Sequence, residues 1–383
     1  MPRTVVSTRR YLVGVALLLS VVMLWTASNF ITNGLETGEN SWNKPFLITY
    51  LNTASFALYL VPTIWRRGIF KRTEAASYEP LPQAEPTSRR SRSRSPLSIR
   101  QSAPIDPEVE TAISEPDLPK LSIRETAEVA AWWSAVWFIA NWAVNASLAW
   151  TSVASVTILS STSGFFTLGL GRLYGVESLT RTKVAAVIAS FLGVLLVTQS
   201  DSSLSTAIQD MDLPTHPILG DFAALLSAAF YAVYVVLLKV RVGDEDRADM
   251  QLMLGFAGLF NIICLIPVFP LLHYTGWETF ELPPTKSAWF ICGINSCITL
   301  SSDYLYVLAM LKTTPMLVTI GLSLTIPLAL LGSFILPDIN TESITLLSIA
   351  GATLVSVGFG MLGWQGWEES QEASAVVVRE PLE

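Results

Sequence analysis

Charge is scarce in this chain. Asp, Glu, Lys and Arg make up 14% of its 383 residues, against about 25% in a soluble domain. That shortfall excludes an ordinary water-solvated fold. Histidine occurs twice, at His216 and His273, and cysteine three times, with no CxxC pair. Neither a zinc site nor a disulfide framework can be built from that inventory. Cys264, Cys292 and Cys297 all lie in apolar stretches and read as small buried hydrophobes. Serine-hydrolase chemistry is excluded as well, because both histidines fall near loops and no GxSxG elbow surrounds Ser160 and Ser161. The single basic run, SRRSRSRSP at 88–96, has no aromatic residues around it, so the chain is not expected to bind nucleic acid. Nothing calls for a cofactor or a metal.

What the chain has in quantity is apolar length. Hydrophobic residues make up 51% of it, and they fall into runs of 17 to 24 residues between short polar intervals. Runs of about 18 or more mark membrane-spanning helices. The expected spans are 11–32, 43–65, 126–149, 152–173, 183–199, 217–239, 250–273, 286–309, 314–336 and 343–363. The fold class is therefore all-α and integral to a membrane, with ten transmembrane helices and the bilayer itself as a partner. Lys and Arg set the orientation. With the N-terminus in the cytosol, the inner intervals hold 22 of the 24 basic residues, and the outer loops hold Lys44 and Lys286. Both termini are expected to be cytosolic. Arg9 and Arg10 ahead of an apolar run, with no acid before Glu36, also have the form of a cleaved leader or mitochondrial presequence. Removing that segment would destroy the internal symmetry.

That symmetry appears on shifting the sequence by 162 residues. VTILSSTS (156–163) then lies over VTIGLSLT (318–325), and Asn141 lies over Asp303; ALLLS (16–20) also resembles AALLS (223–227). Two halves of five spans follow, and an odd number per half makes the repeat inverted, as in alternating-access transporters. The organisation is a tail (1–10), spans one and two (11–65), a loop (66–124), spans three to five (125–199), the second repeat (217–363) and a tail (364–383). Asn141 and Asp303 each lie about eight residues from opposite membrane faces, roughly 12 Å at helical rise, and mirror each other about a midplane site.

The loop 66–124 is rich in Ser, Pro and Glu and cannot bury a core. Ser91, Ser93 and Ser95 sit between arginines, where phosphorylation would cancel charge; the same arginines also serve as a plain topology anchor. YEPL (78–81) has the form of a tyrosine-based sorting signal, and the C-terminal WEESQEASAVVVREPLE reads as a flexible acidic end.

Residues 151–163 carry eight hydroxyls and yet fall within span four. Polar groups on every face of a membrane helix mean that other helices or a cavity enclose it. Ser and Thr can bond back to their own helix, and Ser160-xxx-Gly164 and Thr167-xxx-Gly171 permit close packing. Small-residue packing and a polar path both account for the set. Asp303 is the leading site residue, because an acid in a span is costly and faces a cavity or a partner. It fits a cationic part of a substrate, a coupling proton, or a structural pair with Lys239 or Lys312. Trp137, Asn141 and Asn145 form a stripe able to stack and hydrogen-bond a polar ring, or to join helices by amide bonds. Asn141, Asn145, Ser160, Ser161, Thr319, Ser323 and Asp303 are expected to face one cavity, with Tyr304, Tyr306 and Tyr231 beside the acid, an arrangement leaning toward a cationic or aromatic substrate. Asp221 and Glu177, at span ends, suit capping or interface roles. Lys239 is expected to reach the inner headgroups, and Trp132 and Trp133 the aromatic belt. A membrane aspartyl protease needs YD and GxGD, whereas this chain has DY (303–304) and ILGD (218–221).

NASLAWTSVASVTILSSTSGFFTL (145–168), GDFAALLSAAFYAVYVVLLK (220–239) and GFAGLFN (255–261) resemble solute carrier family 35, subfamily F, in its member-5-like branch, which is grouped with fungal thiamine-repressible transporter-like proteins. The resemblance covers most of 11–363. It implies the drug/metabolite transporter fold of ten spans in two EamA-type repeats, no enzymatic step, and carriage of a small polar metabolite across an endomembrane. A thiamine-like cation and a nucleotide-sugar-like metabolite are both open as substrates. The vacuolar membrane is the first location implied, with Golgi and mitochondrial membranes as alternatives; a homodimer is compatible with this architecture. The competing reading is a non-transporting receptor or scaffold on a transporter fold.

Overall fold

A computed structural model describes residues 8–36, 44–63, 65, 120–205, 217–335 and 345–379. Ser91, Ser93, Ser95 and the YEPL segment lie outside the described residues. Contacts divide the chain into Met1–Val61 with Leu121–Glu383, which holds the helices, and Pro62–Lys120. Among the described residues there is no strand.

The helices are α1 (Thr8–Glu36), α2 (Pro45–Ser55) with a 3₁₀ stretch at Phe56–Tyr59, α3 (Ile123–Trp150), α4 (Val153–Ser161), α5 (Ser163–Leu173), α6 (Arg181–Ser205), α7 (Pro217–Val242), α8 (Met250–Leu265), α9 (Val268–Thr275), α10 (Lys286–Lys312), α11 (Pro315–Leu322), α12 (Thr325–Ile335) and α13 (Leu346–Arg379). Eight described segments are long and apolar enough to cross a membrane, or nine if the bent pair α8 and α9 counts as one. The 28 residues of α3 would reach about 42 Å at helical rise, but Asn, Ser and Trp dilute its apolar content. Much of the outer surface is apolar, including Met23, Phe222, Ile263 and Phe334, as expected where hydrocarbon replaces water. Cys264 and Cys297 are on that surface and only Cys292 is buried. The expectation of three buried cysteines is corrected for two of them: their apolar surroundings are the lipid side.

Helix starts follow local chemistry. Ser122 and Glu125 close a reciprocal capping box on α3, and Ser152, Asp249, Thr285 and Thr314 each accept a backbone N–H at the start of α4, α8, α10 and α11. Spans four, seven and nine are broken. Pro267 separates α8 from α9 at a 45° bend, because proline has no N–H for the preceding turn. In span nine Pro327 cannot bond the Ser323 carbonyl, which accepts from Ile326 N at 3.1 Å instead. Span four contains no proline. Its break comes where Ser161 and Thr162 hydroxyls donate to the Ile158 and Leu159 carbonyls at 2.6 and 2.5 Å while Thr162 N tightens onto Leu159 O at 3.1 Å. The single helix expected over 152–173 is thus two.

Packing sets α1 on α10, α3 on α7, α6 on α13, and the 3₁₀ stretch on α8. The glycines of GFAGLFN take part in the last of these. A Cβ on Gly258 would lie 2.3 Å from Ala57 N. Gly14 on α1 lies against Thr313, just past the end of α10, and Gly220 on α7 lies against Thr151, just past the end of α3. The C-terminal tail is corrected from flexible to helical as far as Arg379. Trp364 Nε1 donates to Glu368 at 2.6 Å, Gln365 to Glu369 at 2.9 Å, and Tyr11 Oη to Gly363 O at 3.0 Å, so the helix docks on the start of α1.

Candidate functional site

On α10, turns three and four residues apart place Asp303, Tyr306, Val307 and Met310 on one buried face. Asp303 is 4% exposed, and among the described residues nothing hydrogen-bonds its Oδ2. The two lysines weighed as its structural partners are engaged elsewhere. Lys239 Nζ donates to the carbonyls of Leu311 (2.7 Å) and Thr313 (3.0 Å) at the end of α10, a cation on a helix C-terminus, rather than reaching the headgroups. Lys312 pairs with Glu245.

What surrounds Asp303 is aromatic. Tyr59 from the 3₁₀ stretch and Tyr234 from α7 lie within range of its charge. Tyr231 and Tyr306 share a hydroxyl–hydroxyl bond of 3.0 Å. Trp25 of α1 stacks on Tyr306 with centroids 6.1 Å apart and donates Nε1 to Ser302 Oγ at 2.9 Å. Tyr234 meets Tyr231 at 5.0 Å and Trp133 at 6.0 Å, and Trp133 continues to Trp137 and Phe56. Tyr304 is half-buried against Tyr59.

Trp133 is the residue that sequence reasoning misplaced. Trp132 is 62% exposed, as a belt residue should be, but Trp133 is 1% exposed and its Nε1 has no described partner. The stripe Trp137–Asn141–Asn145 extends one turn earlier to Trp133, and that i, i+4 spacing was the available signal. Tyr234 was missed although it lies three residues after Tyr231.

The other expected residues make contacts of their own. Thr319 Oγ1, on α11, bonds Thr167 Oγ1 of α5 at 3.3 Å and lies against Tyr231. Asn141 donates to its own helix at Trp137 O (2.8 Å), and Asn145 donates to Thr49 Oγ1 of α2 (3.0 Å), the helix-joining role. Ser161 closes the break in span four, and Ser323 that in span nine. Four of the eight hydroxyls in 151–163 cap or back-bond, those of Ser152, Thr157, Ser161 and Thr162. Ser160 Oγ is buried without a described partner. Gly164 packs against Ile320 and Val187. A groove of about 610 Å³ on the outside of α1 and α10, lined by Leu24, Trp289, Phe290, Gly293, Cys297 and Ser301, contains none of the expected site residues.

At one end of the bundle three acids are paired, Asp244, Glu245 and Glu177. Arg10 chelates Asp244 and approaches Glu245 at 3.4 Å. Burial pushes the Asp244 carboxyl up, but the hydrogen bond and charge of Arg10 outweigh it and hold the group below its ordinary value. Glu177 is fully buried, with Oε2 2.6 Å from Lys183 Nζ and Oε1 accepting Met316 N of α11 at 2.9 Å. At the opposite end Asp221 accepts from Thr151 Oγ1 at 2.9 Å. Asp221 and Glu177 thus both make interface contacts.

No family model matches the chain. It is similar to an uncharacterized vacuolar membrane protein of Saccharomyces cerevisiae, 38% identical over 96% of this chain and 93% of that protein. The thiamine-repressible mitochondrial transport protein of the same yeast is 33% identical over 97% of both chains. Solute carrier family 35 member F5 of Pongo abelii is 32% identical over 92% of this chain and 76% of that one. A crystal structure at 12% identity covers 94% of this chain and 99% of its own with a TM-score of 0.58, a likeness of fold.

Proposed function

Because the chain belongs to solute carrier family 35, subfamily F, we propose that it is a secondary transporter moving a small polar metabolite across a membrane by alternating access. The observation that carries this reading is Asp303, a buried acid whose Oδ2 lacks a partner among the described residues, in a setting of tyrosines and tryptophans drawn from several helices. An acid is expensive inside a membrane protein, and a binding site is what repays it.

The two-half architecture has its own support. The α1–α10 packing is matched by the α7–α3 packing. Thr151 and Thr313 stand at equivalent corners, each facing a glycine, and are 162 residues apart, the displacement that aligns the two sequence halves. Spans four and nine both break near their middle. Ten crossings in two inverted repeats account for all three, and they place the site where the halves meet. Arg10, Lys239 and Lys312 gather at one end, which supports a cytosolic location for that end and both termini. The more similar yeast relative is named for the vacuolar membrane, and we assign this chain there.

Asp303, Trp137, Thr319 and Tyr304 form the inner part of the site; Asn141, Asn145, Ser160, Ser161 and Ser323 border it. Metabolite analysis of vacuoles from cells with and without the protein tests this reading. A polar metabolite shifted by deletion and restored by the wild type is expected. No shift across the polar metabolome would overturn the transporter, and full restoration by Asp303→Asn would overturn the site.

A further inference from the structure

An ionised carboxylate without a partner is too costly to leave in a low-dielectric interior; such a group takes up a proton or acquires a cation. The charges facing Asp303 can be followed element by element. The 3₁₀ stretch brings Tyr59, α7 brings Tyr231 and Tyr234, and its own helix brings Tyr304 and Tyr306, none of which can carry a positive charge. From α11 comes no titratable side chain; α1 carries them only toward its ends, at Arg9, Arg10, Tyr11 and Glu36, and α2 carries only Tyr50. Four cations toward the inner end are engaged: Arg10 with Asp244, Lys312 with Glu245, Lys183 with Glu177, and Lys239 with the α10 carbonyls. Glu177, Asp244 and Glu245 are ion-paired, whereas no described counter-ion pairs with Asp303. Aromatic rings of this kind attract cations, and the buried Nε1 of Trp133, which packs against Tyr234, is a second unpaired group, a donor for a polar atom.

We infer that Asp303 is an exchange site at which a monovalent organic cation with a flat or apolar face and a single proton take turns. This inference rests on the transporter reading. When the cation binds, the carboxyl O–H breaks, the proton leaves to water on the open side, and the carboxylate pairs with the cation. On the other side a proton displaces the cation and re-forms the O–H. One positive charge moves each way, so the cycle carries no net charge and is driven by a pH difference rather than by membrane potential.

The test uses the full-length wild-type protein in lipid vesicles and a carbodiimide, which modifies carboxyls in their protonated form, with modification at Asp303 read by mass spectrometry. Labelling is expected to fall about tenfold per pH unit once the pH exceeds the titration midpoint. At fixed acidic pH, a polar cell extract divided by ion exchange into cationic, neutral and anionic fractions is then added. The cationic fraction should suppress labelling at Asp303 in proportion to its concentration, and the other two should not. Labelling that is absent or flat with pH overturns the exchange, as does protection by the anionic fraction, by the neutral fraction or by none. These failures are distinct from failure of the transporter reading. An anionic metabolite lost on deletion and still carried by Asp303→Asn leaves a transporter without the exchange, whereas no shifted metabolite removes the transporter itself.

Discussion

Replacing Glu177 with glutamine removes a charge and leaves nearly the whole side chain in place. Glu177 lies in the link between α5 and α6, and room for it exists because position 171 is glycine: a Cβ there would sit 2.7 Å from Glu177 Cγ. Its Oε1 takes the Met316 N–H, one of the donors that a helix start leaves free, and the amide oxygen of glutamine can still do so. Its Oε2 faces Lys183, whose side chain is 7% exposed. In Glu177→Gln that ammonium stays buried with Ser178 Oγ at 3.3 Å as its other contact. Stranding one member of a buried pair costs about 3–5 kcal/mol, whereas removing both charges is often neutral. Glu177→Gln alone should therefore lower the thermal stability of the detergent-purified protein markedly, and the double variant with Lys183→Met should recover most of the loss. Retention of a monodisperse peak on size-exclusion chromatography after heating measures both. If the double variant is as unstable as the single one, the loss does not come from the stranded lysine and the ion-pair reasoning is refuted. If the single variant is as stable as wild type, the lysine reaches water and the pair is not buried.

Gly193 of α6 and Gly351 of α13 face each other across backbones: a Cβ on either would meet the other's carbonyl oxygen at 2.6 or 2.5 Å. Ala at either position should destabilise by about 1–3 kcal/mol through forced separation, while Gly293→Ala, with nothing within 4 Å, should not; equal melting behaviour for all three would refute the close crossing. Asp244 is held below its ordinary value of 3.8, so its contact with Arg10 stabilises fully above that pH and is lost as acid titrates the carboxylate through its lower folded value. Melting between pH 3 and 6 should show this loss in the wild type and a flatter profile in Arg10→Gln; identical profiles would refute it. Trp133→Phe keeps the packing and deletes an N–H that has no described partner, so stability should hold within about 1 kcal/mol while uptake of the metabolite found by deletion falls; unchanged uptake would show that the indole donor does not reach the substrate.

The spans were legible because apolar length is a local property: no partner is needed to know that 17 to 24 apolar residues belong in hydrocarbon. Asp303 was legible for the same reason, since an acid inside such a run stands out whatever faces it. The break at Pro267 could be read from the proline, but that in span four could not, because it depends on whether the Ser161 and Thr162 hydroxyls turn toward their own carbonyls. Adjacent Trp132 and Trp133 look alike in sequence, yet a 100° turn sends one outward and the other to Tyr234. The acidic tail looked flexible because its contacts are with residues at the other end of the chain, such as Thr8, whose hydroxyl donates to Ser370 O.

By itself the sequence determined that this protein lives in a membrane and where most of its apolar helices run. Each is set by composition over a few turns and survives any arrangement of the helices. Only the tertiary structure decided how the acids are matched. Glu177 finds a backbone partner 139 residues away, Arg10 finds Asp244 at a separation of 234, and Asp303 is left without one on Oδ2. Pairing of charges depends on distances of a few ångströms between remote segments, and no local pattern records those.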